Sequence, residues 1–160
     1  MRLPVQELMN MYKNNVYAAA FSICKNASDA EDVVQETFLK YYMTHKNFDD
    51  EQHIRAWLLR VAINKAKNIQ ASFWHRNGVP LEDYIETLSF ETPESRDLFE
   101  EVMKLPEKYR VVVHLFYYEA YSVKEIANIL KISESNIKVR LSRGRAMLKD
   151  ALKEGWEDEQ

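Results

Sequence analysis

The chain has 160 residues, 46% of them apolar, with 22 basic and 25 acidic side chains and a net charge of −3. That composition folds, which excludes an intrinsically disordered chain, and the length suits one ordinary domain or two very small ones. Only three glycines and four prolines occur, favouring helices with short connections over a turn-rich β fold, and the lone Cys24 excludes an internal disulfide or a cysteine-based zinc site.

The first residues, "MRLPVQELMNMY", are interrupted by Pro4 and Glu7 and do not read as a signal peptide. The longest purely apolar runs, such as "AAAF", fall far short of the roughly 20 residues that span a bilayer. A soluble, cytoplasmic protein is therefore expected. Leu8, Tyr12, Val16, Ala19, Ala20 and Ile23 recur at helical spacing and predict a helix over 5–25. Cys24 closes it, either as a small apolar residue or as a redox sensor.

Ser28 and Glu31 have capping-box spacing and predict a second helix to about His45. Ala30, Val34, Thr37, Phe38 and Tyr41 share one face of it. The other face carries Asp32, Gln35, Glu36, Leu39 and Met43. Acids around two exposed apolar residues suit a protein docking surface, and equally a solvated face. A third helix is predicted over about 52–73. Ile54, Trp57, Leu58, Val61, Ala62 and Ile69 face inward, with Arg60, Asn64 and Lys67 opposite, beside Ile63. "FWHR", Phe73 to Arg76, follows. Basic and amide groups beside aromatics can hold single-stranded nucleic acid by phosphate contact and stacking, although the aromatics also fit a core.

Residues 74–92 lose the period, contain Asn77-Gly78 and Pro80, and read as a linker. Thr92-Pro93 restarts the chain as N-cap and first helical residue, with a helix to about Lys104. "PEKYRVVVHLFYYEAY" predicts a buried helix. Ser122 and Glu125 form another capping box before Ile126, Ala127, Ile129 and Leu130, and Ser133 can cap a following helix. Two helices about a tight turn within some twenty residues make a helix-turn-helix.

On the last helix Ile137, Leu141, Gly144 and Leu148 fall on the core arc. Gly144 fits a close approach by a neighbouring helix or is a plain weak spot, at about 1 kcal/mol relative to alanine. Ser135, Val139, Ser142 and Ala146 lie opposite, flanked by Lys138 and Arg143, while Arg140 and Arg145 sit nearer the core boundary. Small central side chains let a helix enter a major groove about 12 Å wide, and basic edges reach phosphates or guanine. A solvated basic helix is the alternative.

Charge is distributed to match. Residues 108–149 hold nine basic and three acidic side chains, between 71–107 with three and nine and 150–160 with one and five. One basic surface set between acidic neighbours points to nucleic acid on that surface only.

Together the segments resemble a bacterial sigma factor of the extracytoplasmic-function (ECF) group of the sigma-70 family. "DAEDVVQETFLKYY" is similar to region 2.2, "RAWLLRVAINKAKN" to regions 2.3 to 2.4, and "LPEKYRVVVHLFYYEAYSVKEIANILKISESNIKVRLSRGRAMLKDAL" to region 4. The resemblance implies an all-α fold of two small helical domains joined by a flexible linker. It divides the chain into a region 2-like domain (1–73), a linker (74–92), a region 4-like domain (93–152) and an acidic tail (153–160).

It further implies that Asp32, Gln35, Glu36 and Leu39 dock on the β′ clamp helices of core RNA polymerase. Phe48, Arg60, Ile63, Asn64 and Lys67 would serve −10 DNA, with Asn64 at the pocket for a flipped base. Region 4 would bind the β flap and read the −35 element. Lys138, Val139, Ser142 and Arg143 would read it, Ser135 would lie on the same face, and Arg140 and Arg145 would hold phosphates. Members of the group are usually restrained by an anti-sigma factor, often membrane-bound. No cofactor, metal or small-molecule substrate is implied, and no catalysis.

Two departures stand out. The family commonly has "LGIS" at the turn where this chain has "LKIS", so Lys131 takes a glycine's place. It also commonly has alanine where Gly144 stands. Two other function classes compete. A helix-turn-helix transcriptional regulator could act without replacing a sigma factor, but the region 2-like half argues against it. A nucleic-acid enzyme would need a site, and the histidines (His45, His53, His75, His114) are scattered without ligand spacing.

Overall fold

The computed structural model describes residues 1–71, 85 and 88–158. It forms two compact units, Met1–Val79 and Pro80–Gln160. Every regular element among the described residues is helical.

The first unit packs three helices against one another: α1 (Val5–Cys24), α2 (Ala27–Met43) and α3 (Glu51–Ala71). The apolar stripe of α1 is buried as its spacing predicts, from Leu8 to Ile23. Tyr12 sits at the rim and its hydroxyl donates to Glu51 Oε1 of α3 at 2.5 Å. Lys25 then takes a left-handed conformation, φ 52°, and ends α1.

That turn corrects the expected start of α2. Asn26, extended at φ −144°, is the cap, and its Oδ1 accepts the Asp29 amide at 2.9 Å. Ser28 lies inside the first turn, so the Ser28–Glu31 spacing is not a cap. Helix α2 stops at Met43, where Thr44 is extended. The Arg2 guanidinium donates to the Tyr41 and Tyr42 carbonyls at its end, at 2.7 and 3.3 Å, and stacks over the Tyr41 ring. Cations at a helix C-terminus satisfy carbonyls that have no helical partner.

Of the expected linker, Ile85 and 88–92 are described, and Ile85 is buried. The "FWHR" segment and the Asn77-Gly78 turn lie outside the described residues. The second unit begins with α4 (Pro93–Lys104), capped by Thr92, whose Oγ1 accepts the Ser95 amide at 3.0 Å. The single helix expected next is α5 (Glu107–Val113), which widens into a π turn over His114–Tyr118. Ala120 at φ 58° closes that turn. The buried His114 and Glu119 face each other across it, Nε2 to Oε1 at 3.5 Å.

Helix α6 (Val123–Leu130) has the expected capping box with both bonds formed: Glu125 amide to Ser122 Oγ at 3.1 Å, and Ser122 amide to Glu125 Oε1 at 3.0 Å. Lys131 is left-handed, φ 59°. Ser133 Oγ accepts the Asn136 amide at 3.1 Å and starts α7 (Glu134–Asp158). That helix continues into the stretch expected as an acidic tail. It packs on α4, α5 and α6, burying Ile137, Leu141, Gly144 and Leu148.

Gly144 marks a close approach. A Cβ there would stand 3.0 Å from Val113 Cγ2 and 3.6 Å from Tyr109 Cβ of α5. Val113 is buried and β-branched, so its rotamer cannot easily yield.

Substitution at the two unusual positions should act in opposite directions. Gly144→Val is expected to cost about 2 kcal/mol by overpacking. Lys131→Gly should gain roughly 0.5 kcal/mol, because relief of left-handed strain exceeds the added chain entropy. Urea unfolding of the full chain checks both. The Tyr12 phenol is pushed up to about 12, by burial and then by its bond to Glu51. The folded state thus favours the neutral phenol, a stabilisation complete below about pH 10 and lost as pH rises toward 12. Tyr12→Phe should flatten that part of the stability–pH curve relative to the unsubstituted chain.

Candidate protein and nucleic-acid interfaces

Burial of one stripe of α2 forces the other outward. Ala30, Val33, Val34, Thr37, Phe38 and Tyr41 are buried against α1 and α3. Asp32, Gln35, Glu36 and Leu39 are all exposed, as their spacing predicts. Leu39, Tyr42 and Met43 are 57%, 68% and 67% exposed, so the acids border an unburied apolar patch. Tyr42 was missed by the sequence reading, since its position relative to Leu39 becomes clear only once the helix end is known.

Beside that face lies a cationic hollow of about 340 Å³. Lys40 from α2, Lys46 from the following loop, and Arg60 and Lys65 from α3 line it, with Asn64 and Asn68 as amide groups and Trp57 and Val61 as apolar wall. Among the described residues, the ion pair to these cations is that of Lys65 Nζ with Glu36 Oε2 at 3.5 Å. Arg60 and Asn64 are thus brought together. Lys67, half-buried, is not among the lining residues. Lys40, Lys46, Lys65, Asn68 and Trp57 were not anticipated. The Arg60–Asn64–Asn68 ladder of four-residue steps was a signal for Asn68; the lysines required the α2–α3 packing.

Two expectations need correction. Phe48 and Ile63 are 2% and 1% exposed, so both belong to the core of this fold and not to its surface. Phe48 packs among the rings of Tyr41, His53 and Trp57, with centroids 5.1 to 5.8 Å away. Ile63 is buried because α3 packs against two helices, α1 and α2: Leu59, Ile63 and Ala66 are buried in addition to the predicted inner stripe.

In the second unit α7 presents Ser135, Lys138, Val139, Ser142 and Arg143 outward. Val139 is 46% exposed, which has no core explanation and suits contact with another surface. Arg140 is half-buried and its Nε donates to Asn136 Oδ1 at 3.0 Å. Arg145 is exposed, and its Nε donates to the Tyr117 hydroxyl of the π turn at 2.5 Å. The Arg143 guanidinium beside the Tyr109 phenol is the largest cause holding that phenol below its usual range.

No group of three or more histidine, cysteine or carboxylate side chains that could hold a metal occurs among the described residues. Among them, too, no helix is long and apolar enough to cross a membrane.

Comparison with known proteins gives these surfaces a context. The sigma-70 region 2 family model matches residues 8–84 and the sigma-70 region 4 model residues 95–148. The chain is 32% identical to the ECF RNA polymerase sigma factor SigM of Bacillus subtilis (strain 168), over 98% of this chain and 100% of that protein. It is 27% identical to SigW of the same organism, over 92% and 88%. Among solved structures, CnrH in complex with the cytosolic domain of CnrY is similar at a TM-score of 0.68 and 26% identity, covering 93% of this chain and 87% of that one. RpoE in complex with the anti-sigma factor NepR from Bartonella quintana shares the fold at a TM-score of 0.70 and 21% identity, covering 92% and 96%.

Because the ring cluster is core, Phe48→Ala should lower the stability of the full chain by about 3 kcal/mol, read from denaturant unfolding. A loss below about 1 kcal/mol would return Phe48 to the surface.

Proposed function

The chain belongs to the sigma-70 family as an ECF RNA polymerase sigma factor, and from that premise we propose how its surfaces divide the work of transcription initiation. As a sigma factor it binds core RNA polymerase and directs promoter-specific initiation. The observation that carries the finer reading is the pairing, within one unit, of an exposed acidic–apolar helix face with an adjoining cationic hollow. Asp32, Gln35, Glu36 and Leu39 dock on polymerase. The hollow then receives the displaced −10 strand. Arg60 and the lysines take phosphates, Trp57 offers an aromatic edge, and Asn64 can both donate to and accept from a flipped base.

Lys67, beside Arg60 on α3, extends the cationic flank. Phe48 and Ile63 act as core, Phe48 by backing the Trp57 ring that walls the hollow. The work is done by binding energy, without chemistry on DNA. Extruding a base costs a few kcal/mol, which contacts in the hollow must offset. Helix α7 enters the −35 major groove, with Lys138, Val139, Ser142 and Arg143 at base edges, Ser135 on the same face, and Arg140 and Arg145 at phosphates.

The region 2-like unit argues against a helix-turn-helix regulator acting alone, since such a protein has no use for a polymerase-docking face. CnrH, similar at 26% identity, is held by the cytosolic domain of CnrY. By analogy, an anti-sigma partner covering the α2 face would keep this chain inactive, in the cytoplasm or at the membrane surface where that partner resides.

Run-off transcription with bacterial core polymerase tests the reading: promoter-specific transcripts should depend on this chain. Sequence-specific DNA binding without polymerase, and no transcript, would sink it. Arg143→Ala should weaken −35 recognition about tenfold while core binding is retained, as expected for loss of one good base contact. Glu36→Lys should do the reverse, losing core binding first; Glu36→Gln separates the added charge from loss of the Lys65 ion pair.

A further inference from the structure

The crossing of α5 and α7 at Gly144 leaves an arginine on either side of the contact, and each meets a tyrosine. On one side is the Arg143–Tyr109 pair. On the other, the chain has widened into the π turn, which carries Phe116 and Tyr117 outward. Their rings stand edge to face with centroids 4.9 Å apart. The Arg145 guanidinium lies over both, 5.2 Å from the Phe116 centroid and 5.5 Å from that of Tyr117. Its Nε donates to the Tyr117 hydroxyl at 2.5 Å. Among the described residues its two terminal amino groups have no partner.

A guanidinium fixed at Nε and by stacking, with its outer fork open, is ready to hold a planar or tetrahedral oxyanion. Arg145 also shares a flank of α7 with Lys138, Ser142 and Lys149, at steps of four, three and four residues, and all four are exposed. Lys138 and Ser142 are the reading end of that flank, and Arg145 and Lys149, further along it, border the groove where a phosphate strand runs.

We propose that Tyr117, supported by Phe116, is a positioning residue that presets Arg145 to hold a DNA phosphate beside the −35 groove. The proposal rests on the reading of α7 as the −35-recognising helix. Tyr117 touches no base. Its hydroxyl and ring remove the rotational freedom that a long arginine would otherwise lose on binding, so the effect is on affinity and not on sequence choice. The π turn acquires a purpose: a regular helix would carry residues 116 and 117 round to other directions, and π turns are frequent at functional sites.

The test uses holoenzyme, core polymerase with the full chain, on duplexes selected by that holoenzyme from a pool randomised at the −35 position. Arg145→Ala should lower affinity uniformly across −35 sequences and reduce the slope of log affinity against log salt by about one, the signature of a lost phosphate contact. Tyr117→Leu should lose about fivefold, also uniformly, and add less than about twofold when Arg145 is already alanine, because the two act as a unit. Tyr117→Phe, nearly isosteric and keeping the stack, should fall between the unsubstituted chain and Tyr117→Leu.

Equal loss from Tyr117→Leu in both backgrounds, or none in either, overturns the proposal. So does a loss that differs between −35 sequences, which would make Tyr117 a reader. If Arg143→Ala abolishes −35 preference while both Tyr117 variants match the unsubstituted chain, only the positioning role fails. If Arg143→Ala changes nothing and no −35 preference exists, the reading of α7 fails and the proposal falls with it.

Discussion

The missing Cβ at Gly144 sets how closely α5 can lie against α7, and much of the second unit follows from that distance. With Val113 Cγ2 3.0 Å from where a Cβ would stand, the two helices meet nearly backbone to side chain. The contact anchors α7 in its middle, while Ile137, Leu141 and Leu148 fix its rotation about its own axis. Rotation decides which side chains face out. A turn of one residue, about 100°, would bury Lys138 and expose Ile137, so the basic outer surface exists only because the core face is this specific.

The first unit obeys a related constraint with a different solution. Helix α3 packs on both α1 and α2, so its buried arc is wider than a single stripe and Arg60, Asn64 and Asn68 lie on the side left open. Packing α2 against it draws Lys40 and, through the loop, Lys46 alongside Arg60 and Lys65. Four cations lining one hollow repel one another, and among the described residues only the Glu36 contact to Lys65 relieves them. Their unneutralised charge is the kind of local cost that is recovered when a polyanion arrives. The acidic face beside the hollow limits the reach of that field, since screening confines it to about 10 Å. A net charge of −3 therefore coexists with two strongly basic surfaces.

Local devices could be read in advance. Thr92, the Ser122–Glu125 box and Ser133 cap their helices as their spacing implies, because a cap involves only the next three residues. Ser28–Glu31 has the same spacing and fails, because the left-handed Lys25 had already fixed Asn26 as the cap. Amphipathic readings held for α2 and α7, each with one buried stripe. They broke down for α3, where Ile63 looked like a surface residue on a helix assumed to be one-sided. Phe48, in a polar loop, gave no periodic signal at all; its burial depends on Tyr41 and Trp57 meeting it from two different helices.

The sequence by itself determined the helical class, the helix-turn-helix with its basic outer face, the exposed acidic face of α2 and the family likeness, since each rests on short-range spacing. It also posed the question of Gly144 without answering it. Only the tertiary structure decided that Gly144 is a point of close approach, that Phe48 and Ile63 are core, and that Lys40, Lys46, Arg60 and Lys65 share one hollow. It alone brought Tyr117 to Arg145, 28 residues apart. Contacts between helices depend on where each helix starts, how it is rotated and which neighbour presses on it, and none of these is encoded within a single turn of chain.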